Sequence, residues 1–217
     1  MIVRLLSCLF LASLPWLAAH AQTENDGRGS GAPQILVLGD SLSAEYGLTR
    51  GTGWVAILEK RLAEEFPKAR VANASISGDT TSGGVSRLPA LLKNHQPDIV
   101  LVELGANDAL RGLPLDMTER NLRTMAKSAR DAGADVVIAG MQIPPNYGKP
   151  YADRFRDLFP KVAQDEQAAL IPFLLENMAQ DRAMFQSDAI HPSEEAQPII
   201  FENVWEVLGP LVRENGG

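Results

Sequence analysis

The chain has 217 residues, enough for one α/β domain with a sizeable core and short for two. Its 45% hydrophobic and 22% charged content is ordinary for a globular protein. A net charge of −7 argues against a nucleic-acid partner, which wants a basic face, while leaving negatively charged substrates open because the potential in a cleft can differ from the net charge.

Taken in chain order, the first residues do not read as part of a fold. Met1-Ile-Val-Arg4 is a cationic start, Leu5 to Ala19 is mostly apolar, and Ala19-His20-Ala21 has the small-x-small pattern that a signal peptidase cuts. The apolar stretch falls short of the roughly 20 residues of a membrane span. The expectation is a signal peptide over 1–21, cleaved after Ala21, with an uncleaved anchor as the alternative. Residues 22–33 would form a flexible, polar N-terminal segment. Cleavage delivers the protein to the periplasm or the medium without stable membrane insertion. It also removes Cys8, the only cysteine, so the mature chain holds no disulfide, cysteine nucleophile or cysteine metal site. His95 and His191 are then the only imidazoles.

From residue 34 the pattern alternates strand with helix. Gln34 to Leu38 is an apolar run ended by Gly39-Asp40-Ser41 and reads as a buried strand with a turn. Trp54 to Phe66 carries Trp54, Val55, Leu58 and Leu62 at helical period, and Pro67 stops it. Arg70 to Ile76 is a weaker strand, and Ser82 to His95 a helix. Asp98 to Val102 is the clearest buried strand, running on into Glu103-Leu-Gly-Ala-Asn-Asp108. Thr118 to Ala132 is helical, with Gly133 suited to its C-terminal end. Asp135 to Ala139 is a fourth strand, and Ile143 to Tyr151, with three prolines, a loop. A helix interrupted near Pro160 spans Ala152 to Ala168. Leu170 to Leu174 is a short fifth strand, and Ser193 to Val212 a terminal helix. Strands joined through helices imply a five-stranded parallel sheet covered on both faces, a three-layer α/β/α sandwich in one domain over 34–213.

Ligands of such sheets bind beyond the carboxyl ends of the strands. The residues there are Asp40-Ser41, Ser77-Gly78-Asp79, Gly105-Asn107-Asp108, and Gln142 with its loop. Ser41 sits on a tight turn after Gly39, where a hydroxyl projects toward the open end of the sheet. Its own N–H, near a helix start, can help hold an oxyanion. The plainer duty of Ser41 or Ser43 is to cap a helix. A serine hydroxyl needs a base. His95 lies at the wrong end of the sheet, whereas His191 lies in a late loop with Asp188 three residues upstream, close enough to orient it. Asp-x-x-His also fits a satisfied loop pair or half a metal site, but with His95 at the wrong end of the sheet and no cysteine left, only carboxylates could complete one. Gly78 can offer an unobstructed backbone N–H and Asn107 a side-chain amide to the oxyanion, although each is also a common turn residue.

Gly39-Asp-Ser-Leu-Ser43, Gly78, Gly105-Ala-Asn-Asp108 and Asp188-Ala-Ile-His191, in this order, resemble the four sequence blocks of the GDSL/SGNH hydrolases. The resemblance is closer to the bacterial periplasmic thioesterase I/protease I/lysophospholipase (arylesterase) group. It extends over Asn73 to Thr80, Arg87 to Leu92, Leu101 to Gly105 and Gln142 to Gly148, and covers Ile35 to Leu211. It implies a flavodoxin-like three-layer fold, no cofactor and an acyl-serine intermediate. Ser41 would be nucleophile and one oxyanion donor, Gly78 and Asn107 the other donors, His191 the base and Asp188 its partner. Ala106 departs from the pattern, standing where many relatives have a second glycine, which bears on substrate range.

The expected substrates are small acyl esters and thioesters, including aryl esters, lysophospholipids and acyl-CoA-type thioesters, cleaved by a monomer. Ile76, Leu110, Leu113, Ile143, Pro144, Pro145 and Tyr147 are candidate walls of an open acyl groove. Two rivals stand: a carbohydrate O-acetylesterase on the same triad, and a non-catalytic flavodoxin-like module holding a phosphate or flavin phosphate on Ser41, Ser43, Thr80, Thr81 and Ser82.

Overall fold

The computed structural model describes residues 32–216. The expected leader, its cleavage site, and all but the last two residues of the polar segment lie outside the described residues. Five parallel strands form one sheet: β1 (Gln34–Gly39), β2 (Arg70–Asn73), β3 (Ile99–Glu103), β4 (Asp135–Ala139) and β5 (Ala169–Ile171). Their spatial order is β2-β1-β3-β4-β5, the doubly wound order of flavodoxin-like sheets. The inner strands are buried on both faces, so Ile35–Leu38 and Ile99–Val102 are unbroken apolar runs rather than alternating ones. The edge strand β2, with Arg70 and Asn73 exposed, is more polar.

Helices α1 (Trp54–Glu65) and α6 (Gln197–Asn215) pack together on one face of the sheet. On the other face lie α2 (Thr81–His95), α4 (Leu115–Asp131) and α5 (Lys149–Asp165), while the five-residue α3 (Ala106–Leu110) follows β3 directly. The core side of α4 is Leu115, Thr118, Leu122, Met125, Ala126 and Ala129, the helical stripe that its sequence shows. Gly84 on α2 faces Leu104 and Met125 so closely that a Cβ would lie 2.5 Å from the leucine, which is why α2 and α4 meet there.

Several element boundaries differ from expectation. β2 stops at Asn73, whose Nδ2 turns aside to donate to the Ser43 carbonyl at 2.8 Å. α5 begins inside the expected loop, after a single turn at Pro145–Tyr147, and runs through Pro160 uninterrupted. Pro160, Pro89 and Pro210 all sit inside helices on exposed positions, where water can take the carbonyl that proline leaves unbonded. The terminal helix opens with a 3-10 turn at Glu194–Ala196 before α6 proper. Among the described residues no helix is long and apolar enough to cross a membrane.

α1 lacks a side-chain cap from its own sequence, because Gly53 precedes it. The buried Gln197 supplies one from across the fold, its Oε1 accepting the Trp54 N–H at 3.0 Å. Replacing it with leucine of similar volume leaves that N–H buried without a partner. Gln197→Leu is expected to lower unfolding free energy by about 1–3 kcal/mol in a denaturant titration, with the urea m-value unchanged.

Candidate active site

The carboxyl ends of β1, β2 and β3 and one late loop converge on Ser41. The chain leaves β1 through Asp40 and folds into consecutive turns over residues 41–47. The expected helix start at Ser41 is therefore absent: the N–H groups of Ser43 and Ala44 close onto the Asp40 carbonyl at 3.3 and 3.0 Å, and helix resumes only at α1. Neither serine caps a helix. The Ser43 hydroxyl donates inward to Glu103 Oε2 at 2.7 Å, and Ser41 Oγ points outward to the base. Gly39 makes the inward contact possible, since a Cβ there would stand 2.7 Å from Ser43 Oγ and 2.8 Å from Glu103 Oε2.

The expected base arrives 150 residues later, with His191 Nε2 2.9 Å from Ser41 Oγ. His191 Nδ1 lies 2.7 Å from Asp188 Oδ2, so a proton on Nδ1 donates to the carboxylate and leaves Nε2 as the acceptor for the serine hydroxyl. The spacing of three works because Asp188 folds back on its own loop. Its Oδ1 accepts the N–H groups of Ile190 and His191 at 2.9 and 3.0 Å, with the intervening Ala189, next to Asp188, in the left-handed region at φ +60°. Burial pushes the Asp188 carboxyl up, but these three donors outweigh it and hold it down to about 2. Asp188 thus stays ionised at neutral pH.

Two further contacts hold the loops in register. Gln186 donates from Nε2 to the carbonyls of Tyr46 and Pro192 at 2.8 and 3.0 Å, tying the nucleophile's turns to the base's loop. The Tyr46 ring lies against the imidazole with centroids 4.3 Å apart. Neither residue is singled out by the sequence, because a glutamine or tyrosine in a loop carries no periodic signal.

Asn107 lies on α3, with Nδ2 donating one hydrogen to Asp40 Oδ2 at 2.8 Å and the other meeting no acceptor among the described residues. Gly78 adopts φ +79°, which explains a glycine there, and its carbonyl is held by Arg111 Nη2 at 2.6 Å. Its segment is fastened beside the nucleophile by the Ile76 N–H on the Gly39 carbonyl at 3.0 Å. The N–H groups of Ser41 and Gly78 meet no acceptor among the described residues. Ala106 is buried as the first residue of α3. His95 ends α2 by the amino ends of the strands, away from the site.

Of the candidate walls, Ile76 and Tyr147 are exposed at 53% and 41%, Pro144 is exposed, and Leu110 and Leu113 are half-buried. Ile143 lies inside the core cluster, beneath the surface that a substrate would meet. A hollow of about 500 Å³, lined by Gln142, Phe173 and Leu175 to Asp181, contains no triad side chain. At the phosphate module's expected site, the Asp108 carboxylate already takes the Thr81 N–H at 2.9 Å and the Thr81 hydroxyl at 2.5 Å. The carboxyl of Asp108 thus already occupies the donors that an anion at that helix end would need. Among the described residues no group of three or more His, Cys, Asp or Glu is placed to hold a metal ion.

The sequence model of the GDSL-like lipase/acylhydrolase family matches residues 37–198. The chain is 50% identical to esterase TesA of Pseudomonas aeruginosa over 83% of its own length and 90% of that protein. It is 41% identical to the thioesterase 1/protease 1/lysophospholipase L1 of Escherichia coli over 95% and 93%. A crystal structure of TesA superposes with a TM-score of 0.80 at 50% identity, covering 82% of this chain and 99% of that one.

The crossing of Glu103 over Gly39 gives a direct test of the turn. Gly39→Ala is expected to push the Ser41 turn outward and reduce kcat at least about tenfold, since displacements near 1 Å at a nucleophile cost up to 10²-fold. Steady-state ester hydrolysis by the folded variant reads this directly.

Proposed function

This chain belongs to the GDSL-like lipase/acylhydrolase family, and from that premise we propose a mechanism in which it cleaves carboxylic esters and thioesters through an acyl group carried on Ser41. The observation that carries the reading is the unbroken hydrogen-bonded series Ser41–His191–Asp188, at 2.9 and 2.7 Å. Ser41 Oγ attacks the acyl carbonyl while His191 Nε2 takes its proton, and Asp188 stabilises the imidazolium. The N–H groups of Ser41 and Gly78 and the free hydrogen of Asn107 Nδ2 receive the oxyanion. His191 then protonates the leaving alcohol or thiol. Water, deprotonated by the same imidazole, releases the acid and restores the serine.

The substrate range follows from an acyl groove with exposed walls. The exposed Ile76, Pro144 and Tyr147 would border it beside the half-buried Leu110, with Ile143 beneath them in the core. Such a groove grips part of a chain and leaves the rest in solvent, which suits aryl esters, lysophospholipids and acyl-CoA-type thioesters alike. The esterase and lysophospholipase names of the relatives support the same range. We place the enzyme outside the cytoplasm, as a monomer of one hydrolase domain over 34–213, delivered by the leader cleaved after Ala21.

Ser41→Ala and His191→Ala are each expected to lower kcat/KM on medium-chain nitrophenyl esters by about 10⁴-fold. Substantial turnover by folded Ser41→Ala removes the serine from the mechanism, and wild-type turnover confined to acetyl esters favours the carbohydrate acetylesterase.

A further inference from the structure

One titratable group beneath the site takes no part in the acyl transfer just described. Glu103 ends β3 fully buried, opposite Gly39 in the β1–β3 register. Its Oε2 accepts two hydrogen bonds, from the Asp40 N–H at 3.1 Å and the Ser43 hydroxyl at 2.7 Å. Its Oε1 is equally buried and meets no donor among the described residues. The carboxyl beside it is that of Asp40, itself 1% exposed, whose own N–H is bonded to Oε2. Asp40 is in turn committed to the site: Oδ1 takes the Leu42 N–H at 3.0 Å and Oδ2 takes Asn107 Nδ2 at 2.8 Å.

No cation bonds to either carboxyl among the described residues. Arg87, reaching in from α2, spends its Nε on Asp79 at 2.7 Å and an Nη2 on the Gly39 carbonyl at 3.2 Å. Asp79 raises and His191 lowers the Asp40 carboxyl from a distance, while Asp108 on α3 is turned to Thr81 and Thr118. Two neighbouring ionised carboxylates, both desolvated and one with an empty lone-pair site, are strongly disfavoured. A single proton on Glu103 Oε1 removes the repulsion and fills the empty position. It also gives Asp40 another donor. Burial raises the Asp40 carboxyl to about 6; burial, then the charge of Asp40, raises that of Glu103 well above the usual carboxylate range.

We propose that Glu103 is a positioning residue for acyl transfer: its carboxyl retains one proton, donates it to Asp40, and so fixes the carboxylate that presents Asn107 to the oxyanion. The inference rests on the acyl-serine reading, because Asn107 matters only if an oxyanion forms beside Ser41. It sets the sign of a pH effect. A carboxyl whose pKa is raised on folding stabilises the protein fully below its unfolded value, near 4, and that contribution is lost progressively as pH rises toward the folded value.

The test compares Glu103→Gln and Glu103→Ala with wild type. In infrared spectra taken at neutral pH without substrate, wild type should show the carbonyl stretch of a buried protonated carboxylic acid, and Glu103→Gln should lack it. Glutamine can donate to Asp40 and accept from Ser43, so Glu103→Gln should retain kcat to within about threefold. Glu103→Ala should lose about 10–100-fold in kcat with KM little changed. The Tm of Glu103→Gln relative to wild type should climb as pH rises above about 4. The proposal is overturned by a missing acid band in wild type, by its survival in Glu103→Gln, by glutamine as damaging as alanine, or by wild-type kcat in Glu103→Ala. The spectrum and the Tm trend need no substrate and Ser41→Ala tests the nucleophile separately, so failure of this inference and failure of the acyl-serine reading are distinguishable.

Discussion

The parallel pairing of β1 with β3 determines where every group at the site can stand. It sets Gly39 opposite Glu103 and lets the Glu103 carboxyl cross the space a side chain would fill, to hold the Asp40 N–H and the Ser43 hydroxyl. Because side chains alternate along a strand, a slip of one residue would carry Glu103 to the far face and leave the turn without its inner support. β2 adds a brace from the other flank through Asn73 on the Ser43 carbonyl, and the segment after it through Ile76 on Gly39. Ser41 is thereby held by backbone geometry, and its hydroxyl is left for His191 alone.

Three carboxyl groups serve this edge of the sheet, and their surroundings separate their duties. Asp188 is partly exposed and surrounded by donors, so it remains an anion behind the imidazole. Asp40 and Glu103 are buried against each other, and burial drives both the opposite way. On the proposed mechanism, charge is thus placed where the imidazolium would form and restrained where the oxyanion would form.

Much of this was legible in the sequence because strong local signals carried it. The unbroken apolar runs of β1 and β3 reveal buried parallel strands, and the loop Asp188-Ala-Ile-His191 brings acid and base together within one turn. Other parts depend on neighbours distant in sequence. Glu103 reads as the polar exit of a strand, although a charge set in Leu101-Val-Glu-Leu-Gly105, all buried, was the available signal that it points inward. Gln186 and Gln197 are loop or helix-start residues until their partners, Tyr46 and Trp54, come into contact. The 3-10 start of the last helix, the five-residue α3 and the helix that runs through Pro160 fall below what periodicity resolves, because each is set by packing or by solvent at one turn.

The separation of 150 residues between nucleophile and base bears on when the activity comes into being. Ser41 leaves the ribosome first, with the strands that shape its turn, and it remains an ordinary alcohol while the rest of the sheet is made. His191 follows near the end, and its loop is seated by Gln186 against Tyr46, by Glu194 against the Thr49 N–H, and by Gln197 against α1. On the proposed mechanism, a nascent or C-terminally clipped chain therefore presents a serine without a base, and ester hydrolysis begins only once synthesis and folding are complete.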